Sequence, residues 1–181
     1  MSGRVEAIWT KRAHGGVMDT ANQATLVEGK GLVGDANFGE TRQVTVIEKE
    51  VFDRIRAELP ASGPRMRRAN IMVSGIRLEH SRDQVLTLGD VKIRIRGETR
   101  PCELMDQQCP GLRDALDLHW DGGAHGSVIQ GGELRVGDGA TIEVAVPVGY
   151  GQPGPTRERP FAGTNELPSF APDVPLLPKP L

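Results

Sequence analysis

Apolar residues recur along this chain in short alternating runs that suit strands. The runs Val5–Thr10, Ala24–Val27, Arg42–Ile47, Ala69–Ser74, Val85–Leu88, Val91–Arg96, Ser127–Gln130, Glu133–Val136 and Ala140–Val146 each have strand length. Val91-Lys92-Ile93-Arg94-Ile95-Arg96 is the clearest, with aliphatics on one face and bases on the other. Gly89-Asp90 and Gly137-Asp138 follow two of the runs and mark tight turns, as does Gly131-Gly132. One stretch has the helical period instead. Ile47, Val51, Phe52, Ile55 and Leu59 share a face, and Pro60 stops the helix. A shorter helix is expected over Gly111–Leu118. Many short strands with glycine turns favour a mostly β protein, a closed or nearly closed barrel with one or two covering helices.

The pattern fails after residue 146. Nine of the 13 prolines lie from Pro147 onward, and proline at that density blocks helix and central strand alike. The expected organisation is one domain over residues 1–146 and a proline-rich, extended tail over 147–181, loose or docked, with a dimer arm as one possible role. A length of 181 residues suits one domain with a real core. The 23 glycines agree with a turn-rich β fold.

A net charge of −2 argues against a general nucleic-acid binder. No apolar run reaches the ~18 residues of a membrane span, and the N-terminus lacks a secretory h-region. Two cysteines are too few for a disulfide scaffold. The expectation is a cytoplasmic protein in a reducing compartment.

The chemistry concentrates at a few positions. Cys102 follows a strand-like run and Pro101, with Arg96 and Arg100 just before it. A thiol near cations ionises readily, and a thiolate attacks, carries sulfur or binds soft metals. The other reading is a small buried hydrophobe. Arg65-Met66-Arg67-Arg68-Ala69-Asn70 places three arginines and an asparagine before a strand, either as an anion cradle or as a solvated basic loop. Gly29–Asp35 matches neither phosphate-loop spacing and reads as a turn-rich connection. Cys102, Cys109, His119 and His125 lack zinc-ligand spacing. Trp120–Gly126 reads as a glycine loop whose His125 lines a pocket or faces solvent.

Taken in order, Gly31-Leu32-Val33-Gly34-Asp35, Arg42–Ile47, Arg67-Arg68-Ala69-Asn70-Ile71, Arg100-Pro101-Cys102, Pro110-Gly111-Leu112, Gly122-Gly123 and Gly131–Asp138 resemble the MOSC domain, named for the C-terminal part of molybdenum cofactor sulfurase. The resemblance spans about Ala7 to Val144. It implies a β-barrel module that binds the molybdenum cofactor (molybdopterin), carries sulfur, or both. Cys102 then matches the family's persulfide carrier or molybdenum ligand. Arg67, Arg68 and Asn70 match the groups expected to hold the cofactor phosphate, and Arg100 and His125 complete the expected cofactor-binding set. Ala36-Asn37 departs from the basic-aromatic or histidine pair frequent after the Gly-Asp turn. No pyridoxal phosphate site is expected. The expected partners are the cofactor, a sulfur donor or acceptor protein, a reductase, or a second copy of the chain. Two alternatives stand beside this reading: a molybdoenzyme subunit reducing N-hydroxylated substrates with a partner reductase, and a non-catalytic barrel that binds an anion or a protein.

Overall fold

A computed structural model describes residues 3–143; the tail and the end of the last expected strand lie outside the described residues. The elements run β1 (Gly3–Lys11), β2 (Met18–Ala21), β3 (Gln23–Val27), β4 (Gly31–Leu32), β5 (Val44–Glu48), α1 (Lys49–Glu58), a 3-10 turn (Pro64–Arg67), β6 (Ile71–Ser74), β7 (Val85–Leu88), β8 (Val91–Glu98), α2 (Glu103–Gln108), α3 (Leu112–Leu116), β9 (Ala124–Gln130), β10 (Gly132–Arg135) and β11 (Gly139–Glu143). Seven strands close a barrel in the order β1-β11-β7-β8-β9-β5-β6 and back to β1. Every pairing in it is antiparallel except β5 with β6. The mostly β barrel expected from the alternating runs is the architecture found. β2 extends the wall from β1, and β10, β3 and β4 form a small second sheet.

Alternation decides what fills the barrel. In β8, Val91, Ile93 and Ile95 point inward while Lys92 and Arg96 stay exposed. They meet Val5, Ile8, Val44, Val46, Ile71, Leu86 and Val128 in the interior core. β5 is buried along its whole length because both of its faces are covered. Its inward residues join the barrel core. Its outward Ile47 joins a second core with Val51, Phe52 and Ile55 of α1, Met105 of α2, and Leu112 and Leu116 of α3. The helices therefore cover one flank of the barrel, and side chains such as Phe52 each contribute roughly 1.5–3 kcal/mol by leaving water.

Several boundaries differ from the expectation. Ile47, expected both at the end of a strand and at the start of the helix, belongs to β5 alone, where it pairs with Met72 and the helix begins at Lys49; an outward strand residue under a helix has the same apolar signal as a helix start. Residues 124–126 belong to β9 and not to a glycine loop. Gly126 stands where a side chain would lie 2.5 Å from Ile93, so the glycines there permit close strand packing. The Gly89-Asp90 turn closes the β7–β8 hairpin as expected. Gly137-Asp138 instead joins two strands of different sheets, β10 and β11. The short elements β2, β4 and α2 lack enough residues to show a period.

One polar tie fixes the far end of β5. The buried Glu48 carboxylate accepts the Leu78 backbone N–H at 2.7 Å and lies 3.3 Å from Arg77 Nη1. Burial pushes its carboxyl above the usual carboxylate range. Glu48→Ala strands the Leu78 N–H and is expected to cost about 1–3 kcal/mol in urea unfolding, with Glu48→Gln recovering part of it. Equal stability of Glu48→Ala and the parent protein would show that the tie does not matter.

Candidate functional site

A cross-strand row sets the floor of the site. Trp9 in β1 donates its N–H to Asn70 O at 2.7 Å, and the Asn70 N–H donates to Thr45 O in β5 at 2.9 Å. Thr45 pairs with His125 of β9, and His125 pairs with Gly97 of β8. Thr45 and its neighbours Val44 and Val46 face opposite ways, so this row lies on the outer wall of the barrel. Around it stand the end of β1, the loop 34–42, the 3-10 turn before β6 and the segment that follows β8.

These neighbours enclose a cavity of about 290 Å³. Its wall includes the Cys102 thiol, four cationic side chains (Lys11, Arg42, Arg67 and Arg68), Thr45 and Thr99. Cys102 is exposed at the start of α2, with extended backbone, while Cys109 is buried at the other end of the same helix. Both thiols are free. Among the described residues, no group of three or more His, Cys, Asp or Glu side chains could hold a metal ion.

The two arginines of the motif do different work. Arg67 is 6% exposed and turns its guanidinium inward. Its Nε donates to Gly122 O at 2.6 Å and its Nη2 to Thr99 O at 2.9 Å. Burial lowers its pKa to about 10, against which nearby Cys102 pulls upward, so it stays charged at neutral pH. Arg67 thereby ties down the segment that presents the thiol. The approach depends on Gly122 and Gly123. A Cβ on Gly123 would sit 2.3 Å from Val46 O, at a φ of +94°. Arg68 also adopts a left-handed backbone, φ 61°, and its Nη2 is buried with no hydrogen-bond partner. A cation with an unmet donor on the cavity wall is suited to an oxyanion.

Asn70 does not line the cavity. It is fully buried; its Oδ1 accepts Thr45 N–H at 3.1 Å, and its Nδ2 donates to Asp35 Oδ2 at 2.8 Å and Trp9 O at 3.3 Å. All of its polar capacity is spent on the row. Asp35 in turn accepts the Lys11 and Asn37 backbone N–H groups. Arg100 also stays outside the cavity wall: its side chain is 78% exposed and lies 3.8 Å from Glu98.

His125 lines a second, larger lobe of about 690 Å³ with Glu40, Thr41, Arg42, Gln43, Arg96 and Ser127. Glu40 and Arg42 belong to both lobes, which makes them adjoining parts of one cleft. Burial lowers the His125 pKa, and Arg42 and Arg82 add repulsion, against a hydrogen bond that the ring donates to the Glu98 backbone carbonyl. His125 is expected to titrate below 6.5, and Arg42→Gln is expected to raise it, as read by NMR of the ring protons. The sign for stability follows: below 6.5 the unfolded chain binds the proton more readily, so this histidine costs stability as pH falls. An unchanged His125 titration in Arg42→Gln would remove the coupling.

Cys102, Arg67 and Arg68 thus meet at one cavity, His125 adjoins it, and Asn70 and Arg100 lie outside it. Lys11, Arg42, Thr45 and Thr99 also line it, with His14 and the Glu40 carboxylate on the same wall. Lys11 and Thr99 carried no motif signal, since one lysine or threonine at a strand end has no distinctive pattern, and Thr45 was legible only as part of the Arg42–Ile47 segment. Arg42, the base immediately before a strand, was legible as part of a segment but not as a wall residue.

A seven-stranded barrel with helices on one flank and a thiol in a basic cleft defines the class of protein. Residues 33–141 match the MOSC domain model, and the chain belongs to the MOSC domain family, which is generally linked to molybdenum cofactor binding. The fold is similar to the YuaD protein from Bacillus subtilis, with a TM-score of 0.67 and 19% identity over 78% of this chain and 96% of that one. It is similar to YiiM from Escherichia coli, with a TM-score of 0.61 and 18% identity over 81% of this chain and 71% of that one. YiiM from Geobacillus stearothermophilus gives a TM-score of 0.62 at 14% identity, over 78% and 75% of the two chains. No curated protein matches the sequence significantly. Among the described residues, no helix is long and apolar enough to cross a membrane.

Proposed function

We propose that the smaller lobe holds the phosphate end of a molybdenum cofactor and that Cys102 serves there as sulfur carrier or metal ligand. The observation that carries this reading is the placement of an exposed thiol and four cationic side chains on one cavity wall, with Arg68 Nη2 buried and unpaired. The fit is chemical. A phosphate needs convergent cationic donors, which Arg68, Lys11 and Arg42 supply; molybdenum accepts a soft sulfur ligand, which Cys102 supplies. Bound there, the cofactor would supply a redox-active metal centre. Arg67 would act as the positioning residue that holds the thiol segment.

As a carrier, Cys102 works by thiol exchange. Its thiolate attacks the terminal sulfur of a donor persulfide, the new S–S bond forms, and the donor leaves as its thiolate with no net redox change. A molybdoenzyme subunit that needs a partner reductase uses the same residues, with Cys102 as ligand.

The deciding experiment is pterin and molybdenum content after air-free purification from a host that makes the cofactor. The parent protein is expected to carry near-stoichiometric pterin, and Arg42→Ala/Arg68→Ala very little. These positions are chosen because Arg67 is structural. Equal pterin in both proteins, or none in the parent, would overturn the reading.

A further inference from the structure

We propose that the larger lobe is a second subsite, which binds a small organic anion beside the thiol through Arg42 and Arg96, with His125 facing it. The proposal rests on the reading above in that the smaller lobe is reserved for the phosphate.

The two lobes differ in size and in wall. The thiol lobe exposes mainly nitrogen and oxygen, and its volume suits a compact oxyanion. The larger lobe has more than twice that volume and exposes mainly carbon, which suits the body of an organic molecule. Its two arginines outnumber its single carboxylate. Among the described residues, neither Arg42 nor Arg96 lies within ion-pair distance of a carboxylate. Arg96 Nε reaches only Ser127 Oγ, at 3.2 Å. The one carboxylate on the wall, Glu40, is more than half exposed and sits 3.9 Å from His14.

His125 reports the same field. Its ring is half-buried, Nδ1 is 3.5 Å from Thr99 Oγ1, and Arg42 and Arg82 lower its proton affinity. Thr99 lies on the wall of the thiol lobe and its carbonyl is held by Arg67. The imidazole therefore stands at the partition between the lobes. A carboxylate seated between Arg42 and Arg96 would cancel part of the repulsion and raise the His125 pKa. Arg42, common to both lobes, would pull the ligand toward Cys102, so the subsite places an anionic substrate next to the reactive sulfur or metal.

The test uses two probes on the full chain, benzoate for the larger lobe and inorganic phosphate for the smaller, followed by NMR of the His125 ring and of the backbone at residue 102. Benzoate is expected to shift the His125 ring signals and raise its pKa. Arg96→Gln should weaken benzoate at least fivefold and Arg68→Gln by less than twofold. Phosphate should show the reverse dependence. Benzoate that leaves His125 unmoved, or that both variants weaken equally, overturns the second subsite. Phosphate that ignores Arg68→Gln instead overturns the phosphate reading of the thiol lobe, whatever benzoate does. Thermal unfolding of each variant checks that the fold is intact.

Discussion

Replacing Arg67 with methionine is expected to lower the stability of the protein by about 3–5 kcal/mol in chemical unfolding. The guanidinium makes two short charge-assisted bonds to carbonyls that have no access to water, Gly122 O and Thr99 O. Each such bond contributes about 1.5–3 kcal/mol, and methionine leaves both acceptors stranded. An opposing effect, relief of the cost of burying a cation, keeps the loss below the sum of the maxima. Arg67→Lys is expected to recover less than half of the loss, because one ammonium lacks the fork that spans two carbonyls from separate segments. The same change should loosen the thiol segment, so Cys102 alkylates at a different rate in the variant. A loss under about 1 kcal/mol would mean that the two segments hold together without the arginine.

Cys102→Ser should leave stability within about 0.5 kcal/mol, since the side chain is exposed, yet abolish sulfur loading. Incubated with a protein persulfide donor, the parent chain is expected to gain one sulfur atom by intact mass, at Cys102, and the variant none. Cys109 does not substitute for it, because it is buried in the second core at the opposite end of α2. Pterin content then separates the two roles. A variant that keeps pterin but loses sulfur points to a carrier, whereas loss of both points to a metal ligand. Sulfur loading that is equal in parent and variant would remove Cys102 from the mechanism.

Part of the candidate site was legible in the sequence. The motif around Arg67 and Arg68 and the Pro101-Cys102 pair stood out as local patterns, and they do meet at one cavity. The division of labour within them was not legible. Arg67 and Arg68 are adjacent in sequence and indistinguishable in composition, but one backbone step into the left-handed region sends one guanidinium inward to carbonyls and leaves the other on the cavity wall with an unmet donor. Asn70 looked like a ligand-binding amide and is instead a structural bridge between Trp9, Thr45 and Asp35.

By itself the sequence determined the class of fold and singled out Cys102 as the candidate thiol. Alternation of apolar and polar residues is a local property, and it dictates which strands form and which face they bury, as β8 shows. Only the tertiary structure decided where charge gathers. Lys11, Arg42, Thr45 and Thr99 come from four separate stretches of chain, and closure of the barrel brings β1, β5 and β8 close enough for their ends to share one wall. The reason is physical: side-chain burial follows from short-range period, whereas an electrostatic site depends on distances between residues far apart in sequence.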